Sequence, residues 1–232
     1  MEADRPVVEF DSVSVEGNND ISILRDLNFA IRKGDKVLVY GESGSGKSTL
    51  LYSLLGRNRI STGAISINGT VFNEHNAHCL RKSISFVPQE PLMGADTVKA
   101  ALLLPFTFKA NRNFSPTQEE LLETLEFVGL GEKYMERSCS RLSGGEKQRL
   151  SLARALLLKR EIMLIDEPAS ALDTRNEKMI LDILTGMKPT VLVISHNPSW
   201  KKSFSKYIHV ENGTAILLSS EAKVNADENT RH

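Results

Sequence analysis

The stretch at residues 41–49, Gly-Glu-Ser-Gly-Ser-Gly-Lys-Ser-Thr, limits the possible folds of this chain more than any other feature. It follows an apolar run at 37–40 and precedes another at 50–55, which predicts a buried strand, a glycine-rich turn and a helix. The spacing fits the G-x-x-x-x-G-K-[ST] phosphate-binding loop. A chance glycine-rich turn is the alternative, but the flanking elements and the Lys-Ser-Thr ending argue against it. The stretch therefore predicts a site for a nucleoside triphosphate.

The residue types of this loop suit phosphate chemistry. Glycines allow successive backbone N–H groups to point inward at phosphate oxygens, beside the positive end of the following helix. Lys47 is expected to reach the β- and γ-phosphates, and the Ser48 hydroxyl is expected to bind Mg²⁺. The predicted nucleotide-binding residues of the loop are Gly41, Glu42, Ser43, Gly44, Ser45, Gly46, Lys47, Ser48 and Thr49.

Composition excludes several other classes of protein. Lysine plus arginine and aspartate plus glutamate each number 29 in 232 residues, and the zero net charge argues against nucleic acid as a partner. Two cysteines, Cys79 and Cys139, are too few for a disulfide framework and suit a reducing cytosol. The N-terminal residues lack the features of a signal peptide, and no apolar run is long enough to span a bilayer. If a membrane is involved, we expect another polypeptide to cross it.

The remaining pattern predicts an α/β fold. Continuous apolar runs at 162–165 and 191–194 are typical of central parallel strands that are covered on both faces. Asn212-Gly213 between two β-rich runs predicts a hairpin. The polar tail from residue 221 predicts disorder. The predicted strands outside the phosphate-loop unit are 7–10, 12–15, 27–31, 64–68, 83–87, 162–165, 191–194, 207–210 and 215–218.

Residues 95–158 instead have helical character. Ser115-Pro116-Thr117-Gln118 predicts a helix with Ser115 as its N-cap and Gln118 as its capping-box residue. Leucines then recur at helical spacing, and Gly129 is expected to end this helix.

A second motif, Leu-Ser-Gly-Gly-Glu-Lys-Gln-Arg at residues 142–149, is the most discriminating one. Ser143 and Glu146 have the spacing of a capping box at the start of an amphipathic helix. A capped helix alone does not explain Ser-Gly-Gly, because a small hydroxyl and two glycines at a helix start form an anion-binding surface. The chain is therefore predicted to carry two phosphate-binding helix starts.

These two motifs in this order resemble the ATP-binding subunits of ABC transporters, whose signature motif is LSGGQ-like, and the resemblance covers about residues 7–218. It implies a P-loop NTPase (RecA-like) core with a mainly parallel sheet, an N-terminal antiparallel β accessory sheet and a helical subdomain. It implies one domain at 1–220, in which 1–94 and 159–220 form the core and β part and about 95–158 the helical signature subdomain. It also implies a head-to-tail homodimer in which Ser143, Gly144 and Gly145 contact ATP bound by the partner protomer.

Further motifs of that family follow in order. Asp166 ends an apolar strand, where ligands of α/β sheets bind, and resembles the aspartate that holds Mg²⁺. Glu167 would act as general base on the attacking water, although two acidic residues could simply cap a helix. Gln89 matches the Q-loop glutamine of the family, residues 170–173 match the D-loop, and His196 matches the switch histidine. Without the motif order, each of these would be interpreted only as part of a turn or as a surface residue. The resemblance thus implies Lys47, Gln89, Glu167 and His196 as catalytic residues, Ser48, Gln89 and Asp166 as metal ligands, and ATP with Mg²⁺ as cofactors.

One expected part of the nucleotide site is missing. Members of the family usually stack an aromatic residue on adenine, but no Phe, Tyr or Trp lies between Asp11 and Asn28. Val15 or Gly17 stands near the expected position. We therefore expect only a modest preference for ATP over GTP.

Three other clusters carry weaker hypotheses. His75, His78 and Cys79 could form a metal site, but surface positions on a short helix are favoured because no second ligand pair has matching spacing. Residues 102–106, Leu-Leu-Leu-Pro-Phe, could line a groove for a transmembrane partner or form part of the subdomain core. Residues 201–202, two lysines, are expected on a solvated face.

The middle of the chain resembles one branch of the family. Residues 91–98, the segment 104–106 and the Glu-Lys-Gln-Arg end of the signature are similar to the ATPase subunits of Fet-type (YbbL-like) iron exporters. That resemblance implies a separately encoded transmembrane permease subunit, and a cytoplasmic location peripheral on the inner face of the membrane. Lipoprotein-release and macrolide-export ATPases are the transport alternatives. A non-transport ABC ATPase is disfavoured because the chain has neither a coiled-coil insertion nor tandem cassettes. A regulatory cassette that binds ATP without turnover is disfavoured because the catalytic residues are all present.

Overall fold

A computed structural model describes residues 6–17, 21–170 and 172–219 of the chain. Residues 18–20, Ala171 of the D-loop motif and the predicted tail from 221 lie outside the described residues.

Strands form two sheets. The ten described strands are β1 Pro6–Glu16, β2 Ser22–Arg32, β3 Lys36–Tyr40, β4 Arg59–Ile67, β5 Thr70–Val71, β6 Ile84–Val87, β7 Ile162–Asp166, β8 Thr190–Ile194, β9 Lys206–Glu211 and β10 Thr214–Ser219. One sheet is antiparallel, in the order β2-β1-β4-β5, and the other has six strands in the order β10-β9-β3-β8-β7-β6. In the larger sheet only β10 runs antiparallel to its neighbour.

Helices surround the larger sheet. The described α-helices are α1 Lys47–Leu54, α2 Ala77–Leu80, α3 Val98–Thr107, α4 Gln118–Phe127, α5 Gly144–Leu157 and α6 Thr174–Gly186. Short 3-10 helices occupy Arg81–Ser83, Glu132–Tyr134, Cys139–Arg141 and Pro198–Lys202. None of the helices in the described ranges is long and apolar enough to cross a membrane.

The parallel strands are buried on both faces, as their continuous apolar runs predict. Every residue of β7 and β8 is buried. On one face, Leu38 and Val193 pack with helices α3 to α6. On the other face, Val39 and Leu192 pack with α1 and the antiparallel sheet. The carboxyl ends of β3, β6, β7 and β8 therefore meet at one edge of a rigid sheet, where the predicted site residues begin.

Three predictions in the antiparallel sheet have wrong boundaries. The strand predicted at 27–31 is β2, and it begins earlier, at Ser22. The short strands predicted at 7–10 and 12–15 form one strand, β1, because its ladder continues through a register shift between Phe10 and Val13. Ser12 has a φ of 50° at this irregularity, so the local break in the apolar pattern is a bulge and not a chain reversal. The strand predicted at 64–68 begins earlier, at Arg59, since β4 pairs with β1 along most of its length.

The start of α4 also differs from the prediction. Its N-cap is Thr117, not Ser115: the Glu120 backbone N–H donates to the Thr117 hydroxyl at 3.2 Å, and the Glu120 carboxylate accepts from the Thr117 backbone N–H at 2.8 Å. A carboxylate is a stronger acceptor than the Gln118 amide, so the capping box forms two residues later. The predicted end is confirmed, because Gly129 follows the helix with a φ of +69°.

The apolar segment at 102–106 lies in α3 and divides between core and surface. Leu102 and Phe106 are buried in the cluster that includes α4 and α5, whereas Leu103 and Leu104 are half-buried. The structure therefore confirms the core interpretation for two of these residues and leaves the others at the surface.

Candidate active site

The phosphate loop joins the end of β3 to the start of α1. Gly41 must lack a side chain because a Cβ there would lie 2.1 Å from the carbonyl oxygen of Val210. Gly46 has a φ of +104°, and a Cβ there would lie 2.8 Å from Leu24. Gly46 is also the N-cap of α1 and makes no side-chain cap hydrogen bond. The N–H groups of the first turn of α1 are thus left for a ligand, and the positive end of the helix favours an anion.

Lys47 is held against the loop that precedes it. Its side chain is buried, and its Nζ donates to the carbonyl oxygens of Gly41 at 3.0 Å and Glu42 at 2.6 Å. Burial lowers the pKa of the Lys47 ammonium, while the carboxylates of Glu167 and Asp166 oppose that shift. The ammonium is therefore fixed at the mouth of the loop, where phosphate oxygens would arrive.

Asp166 is the last residue of β7 and is almost completely buried. Burial raises the pKa of its carboxyl group, and hydrogen bonds from the Tyr52 and Ser48 hydroxyls act in the opposite direction. The Tyr52 hydroxyl donates to Asp166 Oδ2 at 3.1 Å.

The donors around Asp166 fit magnesium. Mg²⁺ takes oxygen ligands and is usually bound by one or two carboxylates together with substrate phosphates, and Ser48 and Asp166 supply a hydroxyl and a carboxylate side by side. The buried hydroxyl of Ser45, in the loop itself, has no hydrogen-bond partner among the described residues and lies against Gly41.

Two other predicted catalytic residues, Gln89 and His196, contact Glu167. Gln89 Nε2 donates to Glu167 Oε2 at 3.0 Å, and His196 Nε2 lies 2.6 Å from Glu167 Oε1. Gln89 Nε2 also lies 3.4 Å from the hydroxyl of Ser170. These residues follow three different parallel strands, so only the sheet brings them together.

The backbone at Glu167 is unusual. Its φ is 43°, in the left-handed region that non-glycine residues rarely adopt, and such conformations concentrate at active sites. A carboxylate held at this edge by a histidine and an amide can accept a proton from a water molecule. The arrangement can therefore serve a hydrolysis in which a water attacks a bound phosphate.

The signature motif forms the start of α5. The Glu146 backbone N–H donates to the Ser143 hydroxyl at 3.3 Å, and the Glu146 carboxylate accepts from the Ser143 N–H at 2.7 Å, so the predicted capping box is confirmed. The Tyr134 hydroxyl donates to the same carboxylate at 2.6 Å, and Arg137 lies 3.4 Å from it. This helix start is therefore held rigidly by its own chain.

Ser143 and Gly144 are exposed, and no hydrogen bond or ion pair of the described residues joins them to the phosphate loop. A Cβ on Gly144 would meet nothing within 4 Å, and its φ is not positive. The fold of the single chain thus gives no reason for glycine at this position. A requirement for glycine would have to come from a molecule that approaches from outside.

Residues that follow β7 connect helix α5 to the segment that carries Glu167. Asp173 caps α6 by accepting from the Asn176 backbone N–H at 2.9 Å. Asn176 Oδ1 in turn accepts from Arg149 of α5 at 2.9 Å. On the other side of α5, Arg154 donates to the carbonyl oxygens of Leu92 and Met93 at 2.9 and 3.0 Å, just after Gln89.

Beside the phosphate loop lies a cleft of about 640 Å³. Its walls include Ile21 and Ile23 of the antiparallel-sheet side, as well as Tyr40, His209 and Lys201. The rings of Tyr40 and His209 stack with centroids 4.7 Å apart, and Lys201 Nζ lies 3.4 Å from the centre of the Tyr40 ring.

Two sequence expectations change here. Lys201 faces the cleft and not a simple solvated surface, a contact that no local motif signals. Val15, one of the two positions considered for the adenine-stacking residue, is completely buried in the core and cannot face a base. Ile21 is 65% exposed and presents an aliphatic surface to the cleft instead.

The histidine and cysteine cluster is a surface feature. His75 precedes α2 and is exposed, as are His78 and Cys79 within it. Across the described part of the chain, no group of three or more His, Cys, Asp or Glu side chains could hold a metal ion. The predicted surface positions on a short helix are confirmed by the exposure of these side chains at α2.

Comparison with known proteins gives consistent matches. A family model described as "ABC transporter" matches residues 24–170. A phosphonates import ATP-binding protein of Fusobacterium nucleatum is 33% identical over 230 residues, which cover 92% of this chain and 93% of the relative. A lactococcin-A transport/processing ATP-binding protein of Lactococcus lactis is 34% identical over 204 residues, 84% of this chain, but the match spans only 28% of that longer protein.

A solved structure has the same fold. It is a dimeric ATP-binding cassette in a post-hydrolysis state, bound to ADP and Pi, with a TM-score of 0.76 and 26% identity over 91% of this chain and 98% of the other. The predicted fold class, a P-loop NTPase core with parallel and antiparallel sheets and helices, is thereby confirmed.

Proposed function

This chain belongs to the ABC transporter family, and from that premise we propose that it binds and hydrolyses ATP to drive a membrane transporter. The observation that carries the proposal is the meeting of Gln89, Glu167 and His196 beside a phosphate loop. One carboxylate with two partners, next to a site for phosphates, is the arrangement that activation of a water molecule needs.

The roles of the residues follow from their positions. The loop N–H groups and Lys47 bind the phosphates and stabilise the negative charge that develops during transfer. Ser48 and Asp166 would hold Mg²⁺ against the phosphates, with Gln89 at its margin, and the ion would neutralise phosphate charge. Glu167 takes a proton from the attacking water, and His196 orients Glu167 through the 2.6 Å contact.

The active form is a head-to-tail pair of two copies. Ser143 and Gly144 are exposed at a helix start next to buried Gly145, and the N–H groups that the capping box leaves unbonded there favour an anion. In a twofold pair each such start would close over the phosphates held by the other copy and create two composite sites. The dimeric form of the similar ATP-binding cassette supports this proposal.

The partner in the membrane is a separate transmembrane subunit. Leu92 and Phe108 are 78% and 60% exposed; Phe108 directly follows α3, and Leu104 of α3 lies beside Gly94 in the 92–94 segment. Exposed apolar side chains of this kind are typical of an interaction site. Arg154 fixes the 92–93 segment to α5, so movement of a bound membrane segment would reach both Gln89 and the signature helix. The chain would then work at the inner face of the membrane.

The cargo is the most specific part of the proposal. The similarity of residues 91–98 and 104–106 to Fet-type exporters favours iron or another metal. The curated relatives carry names of lactococcin transport and phosphonates import, so the ATP-binding chain alone does not distinguish these cargoes. Purification of the chain together with its membrane subunit, followed by transport assays in vesicles, would identify the cargo.

Glu167→Gln tests the catalytic proposal directly. This substitution keeps the shape and removes the proton acceptor, so turnover should fall by about 100-fold or more. ATP binding should persist, and size-exclusion chromatography in ATP should show an accumulated dimer. Normal turnover in the variant would remove Glu167 from the role of general base.

A further inference from the structure

Tyr52 is a residue without a place in the motifs of the phosphate site, yet it touches the site's most buried carboxylate. Its hydroxyl donates to Asp166 Oδ2 at 3.1 Å, across 114 residues of sequence. Ser48 and Tyr52 are four residues apart on α1, which places them on the same face of that helix. Both hydroxyls therefore reach Asp166 from one side.

The ring of Tyr52 is fixed by two further contacts. It packs edge-on against Phe86, with ring centroids 5.9 Å apart and an angle of 74°. The guanidinium of Arg57 lies 5.5 Å from the centre of the Tyr52 ring and 5.7 Å from that of Phe86. Phe86 is in β6, the strand that pairs with β7 and so with the backbone of Asp166. The phenol is thus oriented by the same sheet that carries the carboxylate.

We propose that Tyr52 is a positioning residue for the magnesium-binding carboxylate of Asp166. The proposal rests on the metal role given to Asp166 above. The Asp166 carboxylate can turn about its Cβ–Cγ bond, and the hydrogen bond from Tyr52 to Oδ2 restrains that rotation. A phenol suits this task, because it is a neutral donor and does not compete with the ion for negative charge.

Such an outer partner should change metal affinity more than it changes folding. Loss of a hydrogen-bond partner of a metal-binding side chain typically weakens metal affinity or activity by about 10- to 100-fold. If Tyr52 served only to fill space beside Phe86, removal of its oxygen would leave metal binding unaltered.

The experiment uses the full chain with Tyr52→Phe. Mn²⁺ would be titrated in the presence of a non-hydrolysable ATP analogue, and free ion would be measured by electron paramagnetic resonance. We expect the half-saturating Mn²⁺ concentration to rise about tenfold, with unchanged affinity for the analogue in EDTA and a melting temperature lowered by only about 2–8 °C. The matched control is Tyr207→Phe, at a buried tyrosine on β9, which should leave the Mn²⁺ titration at the wild-type value.

Two further variants separate the possible outcomes. Phe86→Leu keeps the phenol and loosens its ring, so a smaller rise in half-saturating Mn²⁺ is expected. Asp166→Asn should abolish metal-dependent tightening of analogue binding. If Tyr52→Phe binds Mn²⁺ like the wild type while Asp166→Asn does not, the positioning role of Tyr52 is overturned. The proposed function would then remain intact. A wild-type titration for Asp166→Asn would instead overturn the metal role itself, and the positioning role with it.

Discussion

The two glycine-rich helix starts of this chain, at Gly46 and at Ser143, bring backbone N–H groups to the surface in opposite ways. The start of α1 has no side-chain cap, and close contacts within the chain require glycine at 41 and 46. The start of α5 has a capping box, formed by Ser143 and Glu146 and supported by Tyr134, while Gly144 has open space around it. The start of α1 lacks hydrogen-bond partners for its N–H groups until a ligand binds. The start of α5 has its cap within the chain, but the fold of the chain does not explain its Gly144.

This difference teaches how a site can be divided between copies. A loop that binds phosphate in its own chain needs backbone N–H groups without protein partners. The loop is therefore locally less stable, and the packing of β3 in the core holds it in place. A surface that meets a ligand held elsewhere must already be rigid, because ordering it at each encounter would cost conformational entropy. The predictions below separate these two designs, from the largest expected effect to the smallest.

Lys47→Ala should have the largest effect, because it removes the cation of the phosphate loop. We expect ATPase activity to fall about 1,000-fold, together with loss of ATP binding by the single chain. Fluorescent-nucleotide titration and a phosphate-release assay would measure both. Unchanged nucleotide affinity would show that the loop is not the primary binding site.

Ser143→Arg should separate binding from turnover. The bulky cation would block the approach of a second copy, so ATPase activity should fall about 100-fold while the affinity of the single chain for ATP stays near the wild-type value. In a Glu167→Gln background, size-exclusion chromatography in ATP should show only monomer. A stable dimer there would contradict a role of this helix start in closure.

Gly144→Ala is the subtler test of the same surface. Within the chain the new methyl group meets nothing, so the free energy of unfolding should change by less than about 0.5 kcal/mol in urea denaturation. A close approach by the other copy would be overpacked, and we expect ATPase activity to fall about tenfold. Wild-type activity in this variant would mean that no backbone or ligand comes close to Gly144.

The smallest effect concerns the base. Stacking on an aromatic side chain contributes about 1–3 kcal/mol per base. Ile21 offers only aliphatic contact, so kcat/KM for ATP should exceed that for GTP by less than about tenfold. Competition between the two nucleotides in the phosphate-release assay would measure the ratio. Strong selectivity for ATP would point to another determinant in the cleft, and the variant Ile21→Tyr would provide the comparison.

Local patterns were sufficient to predict much of this site. The unit of β3, loop and α1, the capping box at Ser143 and the position of Asp166 at a strand end all follow from residues that are neighbours in sequence. The convergence of Gln89 and His196 on Glu167 required motif order, since neither residue is distinctive alone.

Other features depended on tertiary contacts and could not be predicted. The hydrogen bond from Tyr52 to Asp166 and the position of Lys201 over Tyr40 join residues that only the sheet brings together. The capping error at α4 arose because two overlapping boxes compete, and the stronger acceptor of Glu120 decides between them. The bulge in β1 has the same sequence pattern as a turn, because both interrupt an apolar run with short polar residues. The sequence therefore predicted two strands where the structure has one.

The central claim is that each active site takes its phosphate loop from one copy and its signature helix start from another. Mixing Lys47→Ala with Gly144→Ala, whose single methyl group leaves pairing possible, tests it, because each mixed pair has one site built from two intact halves. With random pairing, ATPase activity should recover toward about a quarter of the wild-type value. A mixture no more active than the separate variants, under conditions where chemical cross-linking shows mixed pairs, would contradict a site shared between copies.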